Sequence, residues 1–136
     1  MKRFIDAQET KYPLALAEIK SGRKQSHWMW YIFPQIQGLG LSDMSKRYAI
    51  KDLSEAEAFL EHPLLGSRLI EICTALLALP GNDAYAIFGS PDNAKLKSSM
   101  TLFSLVNNTD PVFQQVLDKF FKGVKDLQTI QIINGA

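Results

Sequence analysis

Prolines preceded by hydrogen-bonding side chains divide this chain into short helices, and that punctuation limits the fold more than any other feature. Ser90-Pro91 leads into Asp92-Asn93-Ala94-Lys95-Leu96, and Asp110-Pro111 leads into Val112-Phe113-Gln114-Gln115-Val116-Leu117. In each pair the first side chain can accept a bond from an orphan helix N–H. Proline at the first helical position loses a donor that had no partner. His62-Pro63 repeats the proline with a poorer cap, and Ser54-Glu55-Ala56-Glu57 has the spacing of a capping box. Gly22, Gly89 and Gly123 fall just after periodic stretches, where a left-handed residue ends a helix.

The apolar spacing agrees. Tyr12, Leu16 and Ile19 are four and three apart. Leu65, Leu69, Ile72 and Leu76 continue the pattern, with Cys73 beside them. Phe113, Val116, Leu117, Phe120 and Phe121 form another stripe, opposite Gln114, Gln115, Asp118 and Lys122. No alternating run with hairpin turn chemistry argues for a sheet. The expected fold is all-α, a bundle of about seven to nine short helices in one domain spanning residues 1–136. The helices are expected near 11–21, 27–33, 43–50, 54–61, 63–79, 83–88, 91–106, 110–122 and 126–133. The longest irregular stretch runs from Pro34 to Ser42 and contains Gly38-Leu39-Gly40.

With 136 residues, 46% hydrophobic and 21% charged, the chain can bury a core without a disulfide or metal staple. One cysteine excludes an internal disulfide and a four-cysteine zinc site. The run from Ile72 to Leu79 stops at Pro80, far short of the ~20 residues that span a bilayer. Met1-Lys2-Arg3-Phe4-Ile5-Asp6 has no apolar segment behind its basic pair, so it does not read as a signal peptide. A cytoplasmic protein with no membrane partner is expected.

The net charge of +1 argues against a polybasic nucleic-acid tail, but it hides a local bias. Residues 20–51 carry Lys20, Arg23, Lys24, Lys46, Arg47 and Lys51 against Asp43 alone, and they hold both tryptophans. Cations beside aromatic faces suit an anionic ligand with a flat ring. The same lysines also read as solvated helix ends.

Gly22-Arg23-Lys24-Gln25-Ser26-His27-Trp28-Met29-Trp30-Tyr31-Ile32-Phe33-Pro34-Gln35 is the unusual stretch: a basic loop running into a helix that is apolar all round. Such a helix is buried, with Trp30, Phe33, Met29 and Ile32 as core residues. The sharper reading makes Ser26 the N-cap of an anion site completed by Arg23 and Lys24. His27 would then be the acid–base candidate, and Trp28 or Tyr31 the ring-stacking residue. On that reading Lys24→Ala weakens binding and leaves the melting temperature nearly unchanged. In Lys95-Leu96-Lys97-Ser98-Ser99-Met100-Thr101-Leu102-Phe103, Lys95, Ser98, Ser99 and Leu102 share a face. A lysine above two hydroxyls can bind an anion, and the serines can equally bond back to helix carbonyls. Lys95, Ser98 and Ser99 join the site only if the two segments meet.

Several chemistries are absent from the sequence. No phosphate loop or dinucleotide fingerprint occurs, so no cofactor is implied. His27 and His62 lack a third metal ligand at a suitable spacing. Cys73 lies in an apolar stripe and reads as core. Ser26 and His27 are adjacent and point apart. Ser21-Gly22-Arg23-Lys24 matches Ser-x-x-Lys without companion motifs.

The run Ser26-His27-Trp28-Met29-Trp30 with Ile32-Phe33-Pro34-Gln35 is followed by Gly38-Leu39-Gly40, Ser45 and Tyr48-Ala49-Ile50. Later come His62-Pro63, Leu65-Gly66, Arg68-Leu69, Ile87-Phe88-Gly89, Asp92, Lys95-Leu96 and Ser98-Ser99-Met100-Thr101-Leu102-Phe103. Ala7-Gln8 precedes these motifs, and Leu117-Asp118-Lys119-Phe120-Phe121 with Gly123 and Asp126 follows them. Over almost its whole length the chain resembles the bacterial domain-of-unknown-function family numbered 1810. The resemblance implies a compact, mostly helical domain. Some members carry the label calpastatin, which does not fit, because calpastatin is a largely disordered inhibitor. Ile132-Ile133-Asn134-Gly135-Ala136 ends soon after the last helix begins, a mild departure from the family's pattern.

The leading functional expectation is binding of, or action on, a small anionic metabolite that is phosphate- or nucleotide-like, a class that includes ADP-ribose-like molecules. The alternative is a protein-interaction or regulatory module without chemistry, using the Gly38-Leu39-Gly40 loop. Nucleic-acid binding through the basic middle ranks third, against the near-neutral total.

Overall fold

A computed structural model describes residues 1–135. The first helix, α1 (Lys2–Lys20), begins nine residues before the Tyr12 stripe predicts. Its buried face is Phe4, Gln8, Tyr12, Ala15 and Ile19, a continuous helical stripe hidden in the sequence by the polar Gln8. Pro13 lies inside this helix on an exposed position. Gln8 is buried, and its Nε2 donates to the Tyr31 carbonyl at 2.8 Å. That bond removes the penalty of burying an amide.

Eight more helices follow among the described residues: α2 (Met29–Ile32), α3 (Asp43–Arg47), α4 (Leu53–Glu61), α5 (Pro63–Ala78), α6 (Ala84–Phe88), α7 (Asp92–Ser104), α8 (Val112–Phe121) and α9 (Leu127–Ile133). The fold is all-α, as expected. Between α2 and α4 the chain is pinned by one isolated parallel bridge, Ile36 to Ile50. Its bonds run from Ile50 N–H to the Gln35 carbonyl and from Gln37 N–H to the Ile50 carbonyl, both 2.8 Å.

Three helix starts differ from the expectation. The cap of α4 is Asp52, whose carboxylate accepts from Glu55 N–H at 2.9 Å, so the cap sits two residues before Ser54, and the Glu55 carboxylate accepts from Lys51 N–H at 3.0 Å. His62 is a good cap: its Nδ1 accepts from Leu64 N–H at 3.1 Å and Leu65 N–H at 3.3 Å. Ser90 does not cap α7, which has Pro91 at its N-cap and no side-chain bond there. Asp110 does cap, accepting from Val112 N–H at 2.8 Å. At the far end of α5, Lys119 reaches from α8 to the carbonyls of Leu76, Leu77 and Leu79, satisfying orphan acceptors with a cation.

The core lies around α5, which packs against α1, α4 and α8, and α7, which packs against α4, α6, α8 and α9. Aromatic rings run through it in sequence. Phe4 meets Phe59 at 5.1 Å, Phe59 meets Phe103 at 5.4 Å, and Phe103 meets Phe113 at 5.6 Å, distances at which ring quadrupoles attract. Gly66 allows the α4–α5 corner to close, since a Cβ there would lie 2.0 Å from the Leu60 carbonyl oxygen. Cys73 is fully buried beside Met100, and burial pushes its thiol up. No helix among the described residues is long and apolar enough to cross a membrane.

Candidate functional site

The 21–28 loop is organised by one carboxylate that the motif reading missed. Glu18, 9% exposed near the end of α1, accepts at Oε1 from Gln25 N–H (2.8 Å), Ser26 N–H (2.9 Å) and Trp28 Nε1–H (2.9 Å). Its Oε2 accepts from the Ser26 hydroxyl at 2.6 Å. Burial pushes the carboxyl up, but these bonds outweigh it and hold it at about 2. The only hint in the sequence is an acidic residue between Ala15 and Ile19 on a core stripe.

This arrangement corrects several expected roles. Ser26 bonds Glu18 instead of capping a helix, and α2 is a four-residue turn whose N-cap, Trp28, makes no side-chain bond. Trp28 is 0% exposed, so no ligand ring can stack on it. Tyr31 is buried against Tyr48 with its hydroxyl on the His27 carbonyl, and burial pushes the phenol up. The Lys24 side chain is 7% exposed, donates to the Ser26 carbonyl, pairs with Asp92 at 2.9 Å and lies over the Trp28 ring. It is a structural lysine. Arg23 and His27 are exposed, and neither side chain makes a hydrogen bond or ion pair among the described residues. Arg23 borders an open groove of about 390 Å³ with Tyr85, Ile87 and Gly89, and His27 does not line it.

The two segments nevertheless meet. Asp92 takes Lys24 on one oxygen and Lys95 on the other, the latter at 3.6 Å. Lys95 Nζ in turn lies 5.3 Å from the centroid of the Trp30 ring, within cation–π range. Trp30, expected in the core, is partly exposed and edges a groove between the 35–46 segment and α7. One half is a recess of about 50 Å³ beside Trp30, Gly38, Lys46 and Tyr48. The other is a cavity of about 390 Å³ beside Lys95, Lys97, Ser98 and Gln128. Gln35, Gly40 and Ser45 line both halves.

Local sequence builds these walls. Ser42 caps α3 by accepting from Ser45 N–H at 3.1 Å, and its hydroxyl donates to Ser45 Oγ at 2.9 Å. Gly40 packs so tightly on this turn that a Cβ would sit 2.3 Å from Ser45 Cβ. Across the groove, Ser98 donates to the Ala94 carbonyl and to Asp126, which also caps α9 through Thr129 N–H. Asp126 is thus committed to caps and hydroxyls, while Lys46 and Lys97 have no ion pair among the described residues. Ser99 lies one turn beyond Lys95 and is fully buried, so it cannot touch a ligand as expected, and its hydroxyl has no partner among the described residues. No cluster of three histidine, cysteine or carboxylate side chains able to hold a metal occurs among the described residues.

A family described as proteins of unknown function, DUF1810, matches residues 1–133. Among solved structures, the conserved hypothetical protein Rv1873 from Mycobacterium tuberculosis is similar at 42% identity. The match covers 98% of this chain and 95% of that one, with a TM-score of 0.95. No curated protein matches the chain.

Proposed function

The chain belongs to this DUF1810 family, and from that premise we propose that it binds a small phosphate-bearing metabolite in the groove between the 35–46 segment and α7. The observation that carries the proposal is that Lys95 and Lys97 line one depression, and Lys46 the recess that adjoins it across Gln35, Gly40 and Ser45, while the lining carboxylate Asp126 is bonded to Ser98 and Thr129. The open depression beside Lys95 and Lys97 measures about 390 Å³, room for a small ligand. A phosphate there exchanges water for ammonium donors, and such charge-assisted bonds are about twice as strong as neutral ones. Lys95 keeps the role first assigned to it, whereas the Ser98 hydroxyl is spent on the Ala94 carbonyl and Asp126 and Ser99 is buried out of a ligand's reach. The setting we propose is the cytoplasm, where phosphorylated metabolites are abundant.

The test is a thermal-shift screen with inorganic phosphate, sugar phosphates and nucleotides. A ligand at 100 times its Kd adds about 2.7 kcal/mol, several degrees in a domain of this size. The shift is expected to vanish in a K46A/K95A/K97A variant. A shift that survives the triple variant, or none across the panel, would overturn the proposal.

One observation favours the second reading, a protein-interaction module. Leu41, just after the Gly38-Leu39-Gly40 loop, is 85% exposed. On that reading Leu41→Ser abolishes partner capture and leaves any phosphate-induced shift unchanged.

A further inference from the structure

Leu41 has a complement elsewhere on the chain. It is the most exposed large apolar side chain among the described residues. Its setting is rigid: Gly40 before it packs on Ser45, and Ser42 after it caps α3. Lys46, Arg47 and Lys51 are exposed and follow it before α4 begins, against Asp43 alone. None of the three cations makes an ion pair among the described residues.

A depression of about 340 Å³ lies between α4, α5 and the turn before α8. Its floor is apolar, made by Leu60, Ile70, Val106 and Phe113. Its rim is acidic, with Glu57 and Glu61 from α4 and Asp110 from the turn. No lysine or arginine lines it among the described residues, and none of these carboxylates has an ion pair there. Asp110 spends one oxygen on Val112 N–H. Glu57 and Glu61 are four apart on one helix face, where like charges repel. Glu61 is also the last residue of α4, where the helix dipole is itself negative. The fold leaves an uncompensated negative rim around an apolar floor, and an apolar side chain flanked by cations is its complement.

Resting on the second reading above, in which Leu41 is a contact residue, we infer that the partner is a second copy of this chain. Leu41 of one copy enters the depression of the other, with Lys46, Arg47 and Lys51 facing Glu57, Glu61 and Asp110. Knob and depression are different patches of one surface, so a copy lacking one still offers the other. One apolar side chain and a few exposed charge pairs make a transient contact, with Kd on the order of 100 µM.

Sedimentation velocity of the full chain, over a concentration series that brackets this Kd, tests the inference. The wild type is expected to associate as concentration rises, and about 10-fold less tightly at ~0.5 M salt than at ~0.05 M, because exposed charges are screened. Leu41→Ser is expected to stay monomeric, and so is a variant carrying Glu57→Lys with Glu61→Lys. Both variants change exposed residues, and a cation at the end of α4 suits its dipole, so both fold. An equimolar mixture of the two is expected to form a heterodimer, because Leu41 of the charge-reversed copy meets the intact depression of the other. A wild type that is monomeric throughout, association unchanged by salt, or a mixture that stays monomeric overturns the inference and leaves Leu41 as a contact for a different protein. Association that survives Leu41→Ser overturns the inference and removes this support for the second reading.

Discussion

Replacing Glu18 by Gln keeps the side chain's shape, removes its charge, and should unsettle the whole 21–28 loop. The carboxylate accepts four hydrogen bonds, three at Oε1 and one at Oε2. A bond to a charged acceptor contributes about 1.5–3 kcal/mol, against about 0.5–1.5 kcal/mol for a neutral one. Downgrading each loses about 1–1.5 kcal/mol, about 4–6 kcal/mol for all four. The Ser26 hydroxyl can turn to accept from the new amide, so three bonds weaken and the expected loss is about 3 kcal/mol. In a domain of this size each kcal/mol moves Tm by roughly 3–5 °C, so the variant should melt about 10 °C lower. Unfolding by urea, followed by tryptophan fluorescence, gives the free-energy difference directly. The pH dependence is a second check on the same carboxylate. Its folded pKa of about 2 lies below the unfolded value of about 4.3. Its contribution is therefore complete above the unfolded value and is lost as pH falls through the folded one. Gln does not titrate, so the gap between the two proteins should be full near neutrality and shrink between about pH 4.5 and pH 2. A gap below about 0.5 kcal/mol at neutral pH, or one that stays constant down to about pH 2, would refute the role given to Glu18.

Other substitutions separate framework from groove. Lys24→Ala removes the Asp92 pair and the bond to the Ser26 carbonyl, and should lower Tm by several degrees, which thermal unfolding reads. Gly66→Ala drives a Cβ to 2.0 Å from the Leu60 carbonyl oxygen, so the α4–α5 corner must open, at a cost of about 2 kcal/mol or more in denaturant unfolding. Lys119→Met leaves the three carbonyls at the end of α5 without their donor, and should cost about 1–3 kcal/mol by the same measurement. Gly40→Ala collides with Ser45 Cβ inside the groove, and should reduce phosphate-induced stabilisation by more than it reduces basal stability.

The helical class was readable because apolar residues recur at helical spacing and because proline and glycine mark the ends. What escaped was set by long-range partners. The start of α1 was hidden because Gln8 looks polar, and only the Tyr31 carbonyl makes its burial tolerable. Asp52 and Ser54 both suit the cap of α4 by residue type, and only the bond to Glu55 N–H decides for Asp52; His62 ranks low by type, yet its Nδ1 reaches the backbone of α5. The basic–aromatic segment stands out in the sequence. Its residues divide differently in space: Ser26 and Trp28 close on Glu18, Lys24 closes on Asp92, and Trp30 is the aromatic that edges a groove. No local spacing shows that Lys95 and Trp30 touch, because 65 positions separate them in the chain.

The most direct measurement is a heteronuclear NMR titration of the 15N-labelled protein with ribose 5-phosphate. The account predicts shifts confined to the Trp30 indole N–H, the amides of Gln35, Gly38, Gly40 and Ser45, and the first turns of α7, with the Trp28 indole N–H unmoved. Shifts centred on Arg23 and His27, or no localised shifts at millimolar ligand, would contradict it.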